Sequence, residues 1–271
     1  MHDLVNALKL ITSEKPEKIS QGLEWFEENI THLDGDKYRQ ALQAVASVFT
    51  YDVYEMPEYQ GVVNNAVRIL ASQGELGIPY LLELLADTDY KVEFNLAIVL
   101  GKIGRTAINP LMEAYNHSRH PSEKAFIIYA LGKINDADIA RAIPLLLNAL
   151  DDDDREVRDS AARSLGKLSD TIEPKSIDDR VKGEVFGRLL PKLRDEYSGV
   201  RSKAIRSLGK LTKNGFLTDE QCHQLQTTLV DILGKSGDFI WDSAFIVRRE
   251  AEAVYKQLTN NCNGEEAESA E

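Results

Sequence analysis

The chain has 271 residues, of which 43% are hydrophobic and 28% charged, and its formal net charge is -12. No apolar run reaches the length of a membrane span, so we expect no membrane association, and the acidic balance argues against a general nucleic-acid binder, which needs a basic surface. The two cysteines, at positions 222 and 262, lie too far apart in sequence for a metal-type or redox-type pair, and a reducing cytoplasm is the expected location.

The first helix-like patterns are irregular and form two pairs. The first pair is predicted over 4–12 and 17–31, and the second over 37–49 and 61–72. Apolar residues in the last of these ranges recur at helical spacing, which is the pattern of a helix with one buried face. We therefore expect residues 1–73 to hold divergent N-terminal repeats.

A four-residue phrase, Leu-Gly-Lys followed by Ile or Leu, then recurs four times. It begins at Leu100, Leu131, Leu165 and Leu208, at separations of 31, 34 and 43 residues. Each copy closes a helix-like apolar stripe, and each follows a segment that a proline begins. Self-similarity at this period is the signature of stacked helix pairs, because no single repeat can bury its apolar face alone.

Each repeat is predicted to contain two helices, which we call A and B, joined by the A–B turn. The clearest pair covers 142–151 and 155–168, and Val157, Ala161 and Leu165 form the apolar stripe of its B helix. The proline fits the first turn of an A helix. The glycine of the repeated phrase either lets neighbouring helices approach closely or ends the helix in a left-handed cap.

Two longer connections, 169–179 and 234–241, interrupt the later repeats, and the last two A helices are predicted over 180–196 and 218–233. The complete pattern predicts an all-α fold. We expect a right-handed α-solenoid, or α-α superhelix, of about seven antiparallel helix pairs.

The regular repeats span 76–258, so residues 1–258 are expected to form a single solenoid. The acidic residues 259–271 are expected to form a disordered tail. One B-helix position is apolar in the earlier repeats and becomes Glu252 in the last. A polar residue there is what a terminal repeat needs, because no later repeat covers it.

Residues 152–158 read Asp-Asp-Asp-Arg-Glu-Val-Arg and are followed by Ala161-Ala162 and Leu165-Gly166. This stretch resembles the HEAT family, particularly its short bacterial and archaeal form, the PBS-lyase HEAT-like repeats. The resemblance covers 78–258 strongly and 19–73 weakly. It implies that an aspartate in the A–B turn pairs with an arginine in the B helix.

Three such pairs keep a separation of six residues: Asp152/Arg158, Asp195/Arg201 and Asp242/Arg248. Because the pair recurs, we interpret it as a structural ladder of hydrogen bonds between repeats and not as a catalytic site. The ladder is expected to fail earlier in the chain, where Asp87 faces Glu93 and Ser118 faces Lys124.

B-helix positions that point away from the core should line the inner, concave surface of the solenoid. Exposed aromatic residues beside arginines are the types that dominate the energetics of protein interfaces. The lysines of the repeated phrase could instead cover neighbouring residues with their aliphatic stems. The candidate partner-binding residues are Arg68, Phe94, Ile98, Tyr129, Arg163, Arg206 and Arg249.

We predict a non-enzymatic scaffold or adaptor that binds another protein along this face. The sequence has no phosphate-binding glycine loop, nucleophile elbow or triad spacing, so we predict no catalytic residue and no cofactor. His117 and His120 lie three residues apart, but Pro121 follows and no second histidine pair exists, so no metal is expected.

Two alternatives follow from the resemblance. The family includes bilin lyase/isomerase subunits, which attach chromophores to phycobiliproteins, although no catalytic residue carries over to this chain. A weaker alternative is a HEAT-like DNA-binding or repair protein, which the acidic charge disfavours.

Overall fold

The computed structural model describes the backbone of residues 2–87, 90–237 and 241–268, and the side chains of 4–85, 91–237 and 241–260. Within these ranges the chain is all-α, and the extended structure is limited to one isolated antiparallel bridge between Leu233 and Trp241. The predicted fold class is therefore confirmed. The right-handed sense of the superhelix stays a prediction.

The chain divides into two compact units. Unit 1 comprises Met1–Ser118 with Lys133–Asn135, and unit 2 comprises Arg119–Gly132 with Asp136–Glu271. The α-helices of unit 1 in the described residues are α1 (His2–Ile11), α2 (Pro16–Asn29), α3 (Gly35–Ser47), α4 (Gln60–Ser72), α5 (Gly74–Glu83), α6 (Tyr90–Ile103) and α7 (Ile108–His117).

Unit 1 buries its apolar stripes between successive B helices, since α2 contacts α4 and α4 contacts α6. Phe26, Leu70 and Leu96, one from each of these helices, are fully buried. Burial of side chains of this size stabilises a fold by about 1.5–3 kcal/mol each. The divergent repeats therefore pack in the same way as the regular ones.

Unit 2 continues the alternation with seven further α-helices. In the described residues these are α8 (Pro121–Leu131), α9 (Ile143–Ala149), α10 (Arg155–Leu168), α11 (Asp179–Leu189), α12 (Ser198–Lys213), α13 (Asp219–Ile232) and α14 (Phe245–Glu268). The B helices α8, α10, α12 and α14 contact one another in chain order.

The boundaries of α10 are those predicted, 155–168, and α13 lies within the predicted range. The predicted helix over 180–196 is different, because α11 ends at Leu189 and a 3₁₀ helix, Leu190–Arg194, follows. Pro191 is the second residue of this 3₁₀ helix and has no backbone N–H to donate to the carbonyl four residues earlier, which favours the change, although α5 continues through Pro79.

The repeated glycines bring neighbouring B helices of unit 2 close together. A Cβ at Gly132 would lie 2.4 Å from Ser164 Oγ, and a Cβ at Gly166 would lie 2.3 Å from Ser207 Oγ. At Gly209 the distance to a side chain of α14 would be 2.5 Å. None of these glycines has a positive φ. Of the two uses predicted for them, close approach is correct and the left-handed cap is wrong.

Serines opposite the glycines tie the helices together. Ser164 Oγ donates to the carbonyl of Ile128 at 2.9 Å, and Ser207 Oγ donates to the carbonyl of Ala162 at 2.7 Å. All of these groups are buried, so the hydroxyl is satisfied within the contact. The glycine–serine pair thus sets the spacing of the B helices.

The last repeat ends in a polar face, as predicted. The equivalent position is buried at Val67, Ala97, Ile128, Ala162 and Ile205. Glu252 is instead partly exposed, with carboxylate oxygens 3.2 Å from Lys235 Nζ and 3.4 Å from Lys256 Nζ. At this position α14 therefore lacks the apolar side chain that another repeat would cover.

The helix α14 continues beyond its packed part. Its backbone is helical to Glu268, whereas the sequence analysis expects residues 259–271 to form a disordered tail. Extending a helix from an already packed turn fixes one residue for each added hydrogen bond, so elongation is far less costly than nucleation. Residues 269–271 lie outside the described part of the chain.

Candidate functional site

The predicted contact residues of unit 1 lie on its B helices. The guanidinium of Arg68 on α4 binds both carboxylate oxygens of Glu27, which lowers the pKa of that carboxyl. Phe94 on α6 is exposed, with Lys133 Nζ 5.3 Å from its ring centroid, and Ile98 is half-buried. The positive charge of Arg68 is therefore already matched by a carboxylate.

The predicted contact residues of unit 2 lie on four successive B helices. Tyr129 is on α8, Arg163 on α10, Arg206 on α12 and Arg249 on α14, and the three arginines are exposed. Arg163 Cζ lies 5.7 Å from the centroid of the Tyr129 ring. A guanidinium over an aromatic face contributes about 0.5–1 kcal/mol at an exposed position and keeps its N–H groups available for another acceptor.

Two of these arginines share one carboxylate. Arg206 donates to Glu250 from Nε at 2.9 Å and from Nη2 at 2.5 Å, and Arg249 donates to the same carboxylate at 3.2 Å. The Glu250 side chain is only 11% exposed. The hydrogen bond from Arg206 holds its pKa below the ordinary value. Glu250 is thus a buried anion between two exposed cations.

Sequence reasoning missed Lys203 and Glu250. Burial lowers the pKa of Lys203, Asp159 acts in the opposite direction, and Arg163 and Arg206 lower it further. These interactions show that charges from α10, α12 and α14 form one cluster. Glu250 lies 44 residues from Arg206, so no local pattern in the sequence could have paired them.

A second shared carboxylate lies at the end of the same helices. Lys167 Nζ lies 3.6 Å from Asp170, and Lys210 also binds that carboxylate. We call the following residues the basic face: Tyr129, Arg163, Lys167, Lys203, Arg206, Lys210 and Arg249. Three acidic residues, Asp159, Asp170 and Glu250, accompany its six cations. The described face therefore carries an excess of positive charge.

The Asp/Arg pairs form a ladder along the A–B turns of unit 2. Arg158 donates from Nη1 to the carbonyl of Asp152 at 2.9 Å. Its Nε and Nη2 donate to the carboxylate of Asp195 at 2.9 and 3.1 Å. Arg201 repeats this arrangement with the carbonyl of Asp195 and the carboxylate of Asp242. Each arginine thus holds its own turn and the turn of the next repeat.

Each ladder carboxylate also orders its own turn. Asp195 Oδ1 accepts the backbone N–H of Tyr197, and Asp242 Oδ1 accepts that of Ala244, both at 2.9 Å. Burial raises the pKa of both carboxyls, but the arginine and backbone hydrogen bonds outweigh burial, so each pKa is lowered overall. The ladder aspartates are therefore held in their charged form.

The ladder has two different ends. Lys124 Nζ lies 3.6 Å from the carboxylate of Asp152, so Lys124 contacts the turn of the next repeat where Ser118 had been expected to interrupt the ladder. The side chain of Asp87 lies outside the described residues. At the other end, Arg248 Nη1 donates to the carbonyls of Asp242 and Ser243 at 2.6 and 3.0 Å.

Metal sites and membrane-spanning helices are absent from the described residues. No group of histidine, cysteine, aspartate or glutamate side chains there is arranged to hold a metal ion. No helix in this part of the chain combines the length and apolar character that crossing a bilayer requires.

Comparison with known proteins identifies the repeats. Residues 108–181 match the family model of HEAT repeats, whereas no curated protein matches the chain. A chain from the complex of CpcE and CpcF of phycocyanin lyase from Nostoc sp. PCC7120 is similar, with 20% identity and a TM-score of 0.54. The match covers 66% of this chain and 98% of that one.

Two further solved structures share the fold. A chain from the structure of Kap95p bound to RanGDP has 15% identity and a TM-score of 0.58, over 94% of this chain and 35% of that one. A designed armadillo repeat protein has 15% identity and a TM-score of 0.50, over 87% and 99%. These likenesses show an α-solenoid of the HEAT and armadillo type.

Proposed function

We propose that this HEAT-repeat chain is a scaffold that binds an acidic segment of another protein on the basic face of unit 2. The observation that carries the proposal is the excess of cations over acids on this face, in a chain whose net charge is -12. A surface with an excess of one sign of charge attracts and orients a partner of opposite charge.

The nature of the partner follows from the fold and from the residues. The HEAT solenoid is a protein-interaction fold, and two of the similar structures are complexes between proteins, CpcE with CpcF and Kap95p with RanGDP. Tyr129 adds an aromatic surface beside Arg163, and tyrosine with arginine is typical of interface centres. Arg68, Phe94 and Ile98 of unit 1 stay predicted contacts.

The proposal is best tested at Arg163. Its direct contact among the described residues is with the Tyr129 ring, and no carboxylate there forms an ion pair with it, so Arg163→Glu reverses a charge without breaking an ion pair. The matched control is Arg180→Glu, which makes the same change at an exposed position on the A helix α11. The probe is a fluorescein-labelled hexaglutamate peptide, and binding is measured by fluorescence anisotropy.

We expect Arg163→Glu to weaken binding by about tenfold, because it replaces an attraction by a repulsion. Arg180→Glu should leave the affinity within about twofold, and added salt should weaken the wild type more than Arg163→Glu. Equal effects of the two variants would locate peptide binding elsewhere. Native partners should likewise be captured well by the wild type and by Arg180→Glu, and poorly by Arg163→Glu.

The bilin lyase alternative has a separate readout. The likeness to a chain of the CpcE–CpcF complex concerns the fold at 20% identity. A lyase subunit would change the absorbance of added bilin or retain a phycobiliprotein, and neither effect requires the basic face. The DNA-binding alternative predicts a gel shift with duplex DNA that salt abolishes.

A further inference from the structure

The two complete steps of the ladder define what its arginines bind. In both, Nη1 of the arginine is held by the carbonyl of the aspartate six residues earlier. In both, Nε and Nη2 make a bidentate contact with an aspartate in the A–B turn of the next repeat, three residues before the B helix begins. Such fork-like contacts fix the position of the carboxylate as well as its charge.

Arg248 keeps the first half of this arrangement. Its Nη1 donates to the carbonyls of Asp242 and Ser243, as the equivalent atoms of Arg158 and Arg201 do in their own turns. Within the described residues no carboxylate contacts its Nε or Nη2. The guanidinium is therefore already oriented for an aspartate that this part of the chain does not supply.

The surroundings of Arg248 are exposed and aromatic. Its Cζ lies 4.7 Å from the centroid of the Trp241 ring, and Trp241 and Phe245 are 62% and 69% exposed. Trp241 also lines a cleft of about 510 Å³ together with Arg194 and Asp231. Tryptophan and arginine are among the residue types that dominate the energetics of protein interfaces.

An earlier step of the ladder indicates which residue should accompany the incoming aspartate. Phe245 lies three residues before Arg248, as Arg155 does before Arg158. Arg155 Cζ lies 5.0 Å from the ring centroid of Tyr197, which is two residues after the bound aspartate. The residue two positions after an incoming aspartate would therefore contact Phe245, where an aromatic residue packs well.

We propose that Arg248, Trp241 and Phe245 form a binding site for a turn of a second protein that carries Asp-x-aromatic before a helix. The polar surface at Glu252 confines the contact to this edge, because a whole repeat stacked on α14 would cover that carboxylate. The site is distinct from the basic face, so one chain can bind two acidic segments.

The experiment uses the whole chain and a defined probe. The probe is a lactam-stapled helical peptide with the sequence of residues 194–210, which carries Asp195 and Tyr197 in the required register. NMR of arginine Nε–H groups identifies the atom that binds. The matched variants are Arg248→Ala at the proposed site and Arg249→Ala on the basic face.

We expect the Arg248 Nε–H signal to shift, and we expect Arg248→Ala to weaken binding by about tenfold. Arg249→Ala changes the basic face, so it should leave binding of the stapled peptide unchanged. Conversely, Arg248→Ala should leave binding of hexaglutamate to the basic face unchanged. A peptide with Asp195→Asn should also bind about tenfold more weakly.

Three outcomes would overturn the proposal. The first is absence of peptide binding at a concentration of about 1 mM, which would mean a binding free energy weaker than about −4 kcal/mol. The second is binding that Arg248→Ala leaves unchanged. The third is self-association of the chain, measured by sedimentation, that Arg248→Ala abolishes, because the occupant would then be a second copy.

Discussion

Removing the carboxylate of Asp195 should destabilise unit 2 strongly. The side chains of Asp195 and Arg158 are only 7% and 8% exposed, and the pair makes two direct hydrogen bonds. Asp195→Ala would leave a buried guanidinium without its main acceptor, a change that costs about 3–5 kcal/mol. It would also remove the acceptor for the backbone N–H of Tyr197.

Asp195→Asn separates the charge from the hydrogen bonds. The amide oxygen can still accept from Tyr197 and from one guanidinium nitrogen, so the expected loss is smaller, about 1.5–3 kcal/mol. The control is Asp151→Ala, which removes a carboxylate that is 54% exposed and binds Arg188 and Lys192 at 2.5 and 2.7 Å. Because water screens a carboxylate that is more than half exposed, these pairs should contribute only about 0–1 kcal/mol, although the Lys192 side chain is largely buried.

Urea unfolding followed by far-UV circular dichroism measures all three changes. We expect the free energy of unfolding to fall most for Asp195→Ala, less for Asp195→Asn and least for Asp151→Ala. A loss below about 1 kcal/mol for Asp195→Ala, within the range of an exposed pair, would refute the ladder as a stabilising element.

Three further predictions concern packing and charge. Gly166→Ala should destabilise unit 2 by about 1–3 kcal/mol in thermal unfolding, because its Cβ would lie 2.6 Å from a backbone atom of α12. Gly183→Ala, whose Cβ would meet nothing within 4 Å on α11, should instead stabilise by about 0.5–1 kcal/mol. The lowered pKa of Asp242 means that its contribution is present above the ordinary carboxyl pKa and is lost as the pH falls through the folded value. The stability difference between wild type and Asp242→Asn should therefore shrink from pH 7 to pH 3, and a constant difference would contradict this. NMR titration of reductively methylated lysines should place Lys203 below ordinary lysine pKa values, and Asp159→Asn should lower it further, since that carboxylate raises it.

Local signals made much of the fold predictable. The predicted range of α10 was correct because the sequence shows both its apolar stripe and the capping residue that precedes it. Asp154 caps this helix by accepting the N–H groups of Glu156 and Val157 at 2.8 and 3.3 Å. The end of α11 was missed because Pro191 had been interpreted as the start of a helical turn instead of the point where an α-helix changes to a 3₁₀ helix.

The candidate site was predictable only in part. Arg163 and Arg206 occupy the same position of successive repeats and follow directly from the repeat pattern of the sequence, whereas Arg249 lies one helical turn earlier in its repeat, at the position of Asp159. Glu250 and Lys203 could not be assigned in this way, because their partners depend on how α12 packs against its neighbours. The ladder shows the same limit, since Asp195 binds an arginine 37 residues away through its carboxylate.

The ladder and the glycine contacts both repeat after 43 residues at one point of unit 2, where Asp195 follows Asp152 and Gly209 follows Gly166, so this module could be duplicated. A second copy of residues 155–197, inserted directly behind the original, would place the Nη1 of its Arg158 beside the carbonyl of the original Asp195. Its Ser164 would take the place of Ser207 opposite the original Gly166. These ladder and glycine contacts would then find the same atoms as before, whereas the copy's Arg188 and Lys192 would face Arg194, which stands at the position of their present acceptor Asp151. Gene duplication of this 43-residue module would therefore preserve the contacts between B helices and would require a substitution at Arg194 between A helices.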